Sequence, residues 1–287
     1  MLKLIFIFLL FFFSFFLNAE KLKIDWLLPN SPPFYLSDNS DELGLCEALV
    51  KKLRAALPKI DHNLLIIPQA RINKMMRDGE KVCFPCMIYR KQGNALATFS
   101  QPTIIYPPFV IVANVKTAHK IKAKYGSPLD IKLLLNDPSW LLGREGARRY
   151  GETLQPILEQ SLAYHKSVLT FTSTESTTAL IRMLQKNRID YIIEYPVNIN
   201  YQKSLGYTDL EMLGVKQLKN SFIYGAVGCA TAAKDNFAIN AISAINAALN
   251  KSVLVDEEYR KYIKRWMSGS IVNYEQHYLQ HVVRFKE

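Results

Sequence analysis

The chain has 287 residues, 36 Lys and Arg against 25 Asp and Glu, and a net charge of +11. An apolar share of 49% excludes a disordered chain, and four cysteines are too few for a disulfide-built scaffold. The length accommodates one large domain or two ordinary ones, and the charge raises the question of a nucleic-acid or membrane partner.

Residues 1–19, MLKLIFIFLLFFFSFFLNA, set Lys3 before an apolar run from Leu4 to Leu17, then Asn18-Ala19. That order predicts a cleaved export signal. Fourteen helical residues reach only about 21 Å, short of the roughly 30 Å hydrocarbon core, so a spanning anchor is disfavoured. No cysteine follows the apolar run closely, so no lipid anchor is expected. The remaining charge is spread as +3 over residues 20–112, +5 over 113–222 and +2 over 223–287. There is no basic arm and no aromatic-interleaved basic stripe, so a nucleic-acid partner is not expected.

After the leader, strands and helices alternate. Leu22 to Leu27 reads as a strand ended by Pro29-Asn30-Ser31-Pro32-Pro33. Residues 41–57 place Leu45, Leu49, Leu53 and Leu57 on one helical face before Pro58. Leu64–Ile67 predicts a short strand, Ala70–Arg77 a helix and Val82–Tyr89 a strand. Ile104–Ala113 is a further strand, interrupted by Pro107-Pro108. Leu133–Leu135 and Trp140–Gly143 then read as strand and turn, Arg148–Leu162 as a helix and Val168–Phe171 as a strand. Thr177–Gln185 follows as a helix and Tyr191–Ile193 as a buried strand. Ile223–Cys229 is the last strand, with helices over Ala238–Leu249 and Tyr259–Met267. This alternation predicts an α/β fold built on open sheets.

The order of several motifs resembles the extracellular solute-binding protein family 3, the amino-acid type of periplasmic binding protein. The segments that carry it are Pro32-Pro33-Phe34-Tyr35 after the first strand, Gly44 with the Leu-rich helix, and Arg71 opening the next helix. Phe99-Ser100-Gln101-Pro102 is similar to the family's F-S-x-P. Gly143–Gly151, Arg188–Pro196 (RIDYIIEYP), Tyr224–Val227 and Tyr259–Trp266 continue the series. The resemblance implies a two-lobed α/β fold of the type II kind, each lobe an open sheet flanked by helices, joined by two crossover strands. It puts residues 20–112 plus 223–287 in lobe one and 113–222 in lobe two, with a ligand between them. Open α/β sheets bind ligands beyond the carboxyl ends of their strands, which agrees.

On that layout Phe34 and Tyr35 line the cleft and could stack on a ligand. The family's carboxylate-binding arginine falls by spacing at Gly93, so Arg90 and Lys91 are the nearest candidates for a bidentate clamp. Arg71 is either cleft-facing or a surface residue at a helix start. Ser100 either donates to ligand or forms the turn before Pro102. Gly143-Arg144-Glu145-Gly146 ahead of a helix could offer backbone N–H groups to an anion, with Ala147 where the family carries a hydroxyl. Arg144, Arg148 and Tyr150 are candidates there. Thr174, in Thr172–Ser176, reads as a helix cap bordering the cleft. Glu194 and Tyr195 stand where the family often turns an acid towards the ligand's ammonium group.

Cys46, Cys83, Cys86 and Cys229 predict disulfides in an oxidising compartment, with three pairings open. Cys83-Phe84-Pro85-Cys86 has redox spacing without the surrounding βαβ context. His277 and His281, four apart, lack an evident third metal ligand. The resulting expectation is a monomeric periplasmic protein without cofactor or metal, binding a small polar solute for an ABC transporter permease or a membrane sensor. A hydrolase or dehydratase on the same fold, or a partner protein with no small ligand, are the alternatives.

Overall fold

A computed structural model of the protein describes residues 21–36, 42–90, 96–164, 167–172, 176–219 and 221–285. The leader lies outside them. Two five-stranded sheets organise the chain. In the first, β1 (Lys23–Leu28) lies parallel between β2 (Asp61–Ile66) and β3 (Val82–Ile88). Next come β10 (Ile223–Ala230), antiparallel to β3, and β4 (Ala97–Tyr106), antiparallel to β10. The second repeats this logic. β6 (Leu142–Glu145) lies parallel between β7 (Val168–Phe171) and β8 (Tyr191–Glu194), while β5 (Val110–Ala113) pairs antiparallel with β8 and with β9 (Glu211–Leu213). Three parallel strands followed by two antiparallel ones thus occur in both halves. Among the described residues no single helix is long and apolar enough to cross a membrane.

Local chemistry accounts for most elements. Helix α1 (Leu45–Ala56) buries Leu45, Leu49, Val50 and Leu53, a 3.6-residue stripe. Its start is held by Glu47, whose carboxylate accepts from the backbone N–H of Gly44 (2.6 Å) and Leu36 (3.1 Å). Gly44 is required there by space, since a Cβ would lie 2.3 Å from the Phe34 carbonyl oxygen. Helix α2 (Gln69–Arg77) buries Ile72 and Met76 against Leu27, Val82 and Phe84. Helix α3 (Val115–Tyr125), absent from the sequence reading, buries only Ala118 and Ile121 and starts at Asn114, whose side chain accepts from Thr117 N–H at 2.8 Å. Leu133–Leu135, expected as strand, belongs to helix α4 (Ile131–Leu135), capped by Asp130. Three successive leucines carry no period, and the cap decided the outcome.

Helix α5 (Gly151–Tyr164) begins later than expected, on a glycine at φ 76°, a left-handed conformation that side chains disfavour. Helices α6 (Ser176–Gln185) and α7 (Pro196–Ser204) complete the second half. In the first, α8 (Phe237–Ala248), α9 (Glu257–Met267) and the short α10 (Tyr274–Tyr278) follow β10. The boundary expected after residue 112 falls inside β5, a strand of the second sheet. The chain changes sheet at Pro107-Pro108-Phe109, where proline removes the N–H groups a continuous strand would need.

All four cysteines lie in the first half. Cys83 pairs with Cys229, its direct cross-strand neighbour on β10, and Cys46 of α1 pairs with Cys86 of β3. The register explains why Cys83 and Cys86 part company. Cys229 occupies the position opposite Cys83; Ala226 opposes Met87 and Gly228 opposes Phe84, so β3 carries one extra residue around Pro85, and this bulge puts Cys86 on the face that α1 covers, against Cys46. A redox pair within Cys83–Cys86 is therefore not formed.

Candidate functional site

A cleft of about 590 Å³ opens at the carboxyl ends of β1, β3 and β6, between the two sheets. This is within the range of small-molecule sites. The first half supplies Ser31 and Phe34 from the loop after β1, and Gln69, Asn73 and Arg77 from α2. The end of β3 adds Phe84, Met87, Ile88 and Arg90, with Leu96 beside them. Facing them are Glu145, Ala147, Arg148 and Arg149 after β6, Gln155 and Glu159 of α5, Ser176 and Thr177 of α6, and Tyr195 after β8.

An aromatic chain joins the two halves. Phe34 meets Tyr106 and Tyr195 edge-on, with centroids 5.8 and 6.2 Å apart, and Tyr106 lies 5.4 Å from Tyr195. Tyr195 packs at 4.1 Å on Phe109 of the crossover, and Phe109 at 5.3 Å on Tyr150. Such ring geometries bury much area with little side-chain entropy. Burial raises the phenol pKa of Tyr106 and Tyr195, so both remain neutral. A direct bond also crosses the cleft: Asn73 Nδ2 donates to the Ala147 carbonyl at 3.4 Å.

The second wall is built on one buried ion network. Arg148 donates to Glu194 and, at 3.2 Å, to Thr177 Oγ1, and its Nε lies 3.6 Å from Glu145. Glu194 also accepts from Thr177 Oγ1 (3.1 Å), Tyr195 N–H (2.8 Å) and Asn198 Nδ2 (2.8 Å). Burial opposes the charge of Arg148, but Glu194 and Glu145 outweigh it and raise its pKa further. Burial raises the Glu145 pKa above the ordinary carboxylate value, with Arg148 acting against that rise.

Several sequence candidates meet here: Phe34, Arg90, Arg148 and Tyr195 all line the cleft. Arg90 follows Tyr89, whose N–H donates to the Tyr224 carbonyl at 2.7 Å and whose ring packs on Phe99 and Phe285. Thr174, Lys91 and Gly93 lie outside the described residues. The other candidates are placed elsewhere. Tyr35, 5% exposed, turns inward beside Leu28 and Cys46, because the loop can aim only one of two adjacent rings at the cleft. Arg71 is exposed on a different face of α2 from Gln69, Asn73 and Arg77.

Ser100 sits within β4, not in a turn. Its hydroxyl accepts from Val227 N–H at 3.0 Å and donates to the Gln101 carbonyl at 2.7 Å. The strand register is irregular there on both sides of Val227, and Ser100 satisfies the N–H left over. Arg144 belongs to β6 and donates to the Gly146 carbonyl at 3.5 Å, so the expected glycine-turn anion site is a strand instead. Tyr150 is buried on Phe109, and burial pushes its pKa up to about 12. Glu194 is 2% exposed and committed to Arg148 and three further donors, so it does not present a free carboxylate to the cleft. Gln69, Asn73 and Arg77 were missed, although their i, i+4, i+8 spacing beside the buried Ile72 and Met76 is legible in the sequence.

No family model and no curated protein sequence matches this chain. Solved structures do match. The arginine-, lysine-, histidine-binding protein ArtJ of Geobacillus stearothermophilus superposes with a TM-score of 0.63 at 18% identity, covering 89% of this chain and 99% of that one. GshT of Streptococcus mutans, described in glutathione import with the cystine ABC importer TcyBC, gives 0.63 at 17% identity over 87% and 96%. A histidine kinase sensor domain with similarity to periplasmic binding proteins gives 0.62 at 13% identity over 86% and 96%. What this chain shares with them is the two-lobed α/β fold of periplasmic binding proteins.

Proposed function

We propose that this protein is an exported, periplasmic solute-binding protein that holds a small charged solute between its two lobes, as a monomer and without catalysis. The observation that carries this reading is the interlobe cleft of about 590 Å³ at the strand ends, lined by an aromatic chain and by Arg77 and Arg90. Aromatic faces with a few convergent polar groups suit capture of a small molecule. Two disulfides within the first half accord with an oxidising compartment. The leader is consistent with the same route. Closure about the two crossovers would present a changed surface to an ABC-type permease or a membrane sensor. Proteins of this fold described for import and for kinase sensing make either partner reasonable.

Thermal-shift screening of the chain from residue 20 against amino acids, carboxylates, polyamines, sugars and peptides tests the proposal. A true solute at a hundred times its Kd adds about 2.7 kcal/mol and raises the melting midpoint. Arg90→Ala is expected to abolish that shift. A panel without any shift defeats the proposal.

A further inference from the structure

The charges around the cleft are distributed unevenly. Its carboxylates all come from the second half, and each already faces a guanidinium. Glu194 and Glu145 lie against Arg148, and Glu159 lies 3.7 Å from Arg149. Arg77 and Arg90, on the first half, have no carboxylate partner among the described residues. Four guanidiniums thus line the cleft with two carboxylates, Glu194 lying buried behind Arg148, and the two guanidiniums without a carboxylate stand on one wall. An ammonium group approaching Glu145 or Glu194 would have to lie against the Arg148 guanidinium, a like-charge contact at low dielectric. The wall that holds Arg77 and Arg90 also carries apolar side chains, Phe84, Met87, Ile88 and Leu96.

We infer that the solute is a carboxylate with an apolar body, held through Arg90 and Arg77 and by the apolar wall beside them, and that an amino group on it adds nothing to capture. This rests on the solute-binding reading of the same cleft. A planar guanidinium matches a carboxylate bidentately, and the nearby apolar side chains exclude water from that pair. The second half contributes shape, with the buried charges of Arg148 and Glu194 and the Thr177 hydroxyl spent on one another.

Isothermal titration of the chain from residue 20 with matched probes tests this: 3-phenylpropionate against phenylalanine, 4-methylpentanoate against leucine, and phenethylamine as the amine without a carboxylate. The expected result is that at least one amine-free carboxylate binds as tightly as its amino-acid counterpart or tighter, and that phenethylamine does not bind. Arg90→Ala is expected to weaken that carboxylate about 30-fold or more, as for removal of one partner of a desolvated charge pair. Arg77→Ala, at an exposed helix position, gives a second reading with little risk to folding. Amino acids binding tenfold or more above their amine-free partners would overturn the inference and leave the solute-binding reading standing. If no carboxylate or amino acid binds, the inference falls, and the wider thermal-shift panel decides whether the solute-binding reading falls with it.

Discussion

Replacing Glu194 by alanine is expected to be a stability mutation. The carboxylate is 2% exposed and receives Arg148, Thr177 Oγ1, Asn198 Nδ2 and the Tyr195 N–H. Its removal leaves the Arg148 guanidinium, whose side chain is 15% exposed, facing only Glu145 at 3.6 Å. Breaking a buried pair by deleting one partner costs about 3–5 kcal/mol. Glu145 remains as a partial counter-charge, so the lower end, about 3 kcal/mol, is expected. Arg148→Met leaves two buried carboxylates without their cation and is expected to cost at least as much. The double variant Glu194→Leu/Arg148→Met leaves no buried charge unpaired between those two positions. It should therefore fall short of the summed single costs by about 2 kcal/mol or more. Urea unfolding followed by far-UV circular dichroism measures all three. If Glu194→Ala stays within about 1 kcal/mol of the parent protein while solute affinity collapses, Glu194 is a ligand group and the network argument is wrong.

His62 accepts from Trp26 Nε1 at its Nδ1 (3.1 Å), while its Nε2 faces the Leu57 carbonyl at 3.0 Å, an arrangement that requires the neutral ring. Burial lowers its pKa, so the unfolded chain takes up a proton first as pH falls through about 6.5. Stability present above that value should decline between about pH 7 and 5, and His62→Gln should flatten the decline; equal urea midpoints across that window in both proteins would contradict this. Gly44→Ala is expected to destabilise by about 2 kcal/mol or more, because its Cβ would meet the Phe34 carbonyl at 2.3 Å and must move backbone. It should also weaken solute binding, since Phe34 lines the cleft, and a melting curve with a titration reads both. Replacing Cys83 and Cys229 by serine opens a loop of 146 residues, and replacing Cys46 and Cys86 one of 40. Chain entropy assigns these about 5 and about 4 kcal/mol, so the first pair is expected to matter more for folding. Only loss of the second pair should alter solute affinity, as only Cys46 and Cys86 line the cleft.

Much of the fold was legible because apolar spacing is a local property. The stripe Leu45, Leu49, Leu53 announced α1, the helix expected over Ala70–Arg77 is α2, and the runs Val82–Tyr89 and Tyr191–Ile193 announced the strands β3 and β8. α3 was invisible because it buries only two side chains, and α4 was misread because Ile131–Leu135 has no period to distinguish helix from strand. Within the cleft, the sequence singled out the right segments more often than the right side chains. Phe34 lines it and Tyr35 does not; Asn73 lines it and Arg71 does not.

Taken alone, the sequence determined the α/β class, the order of most elements and the presence of arginines and aromatics at strand ends. These follow from residue chemistry within a few positions of one another. Which cysteines pair was decided by the register that sets Cys83 directly opposite Cys229, and by the bulge at Pro85, whose extra residue turns Cys86 towards Cys46 of α1. Which charges stay available was decided by Arg148, which crosses from β6 to β8 and satisfies Glu194 internally. Both depend on strands brought together from distant parts of the chain, and a burial or a bond between them has no signature in either segment by itself.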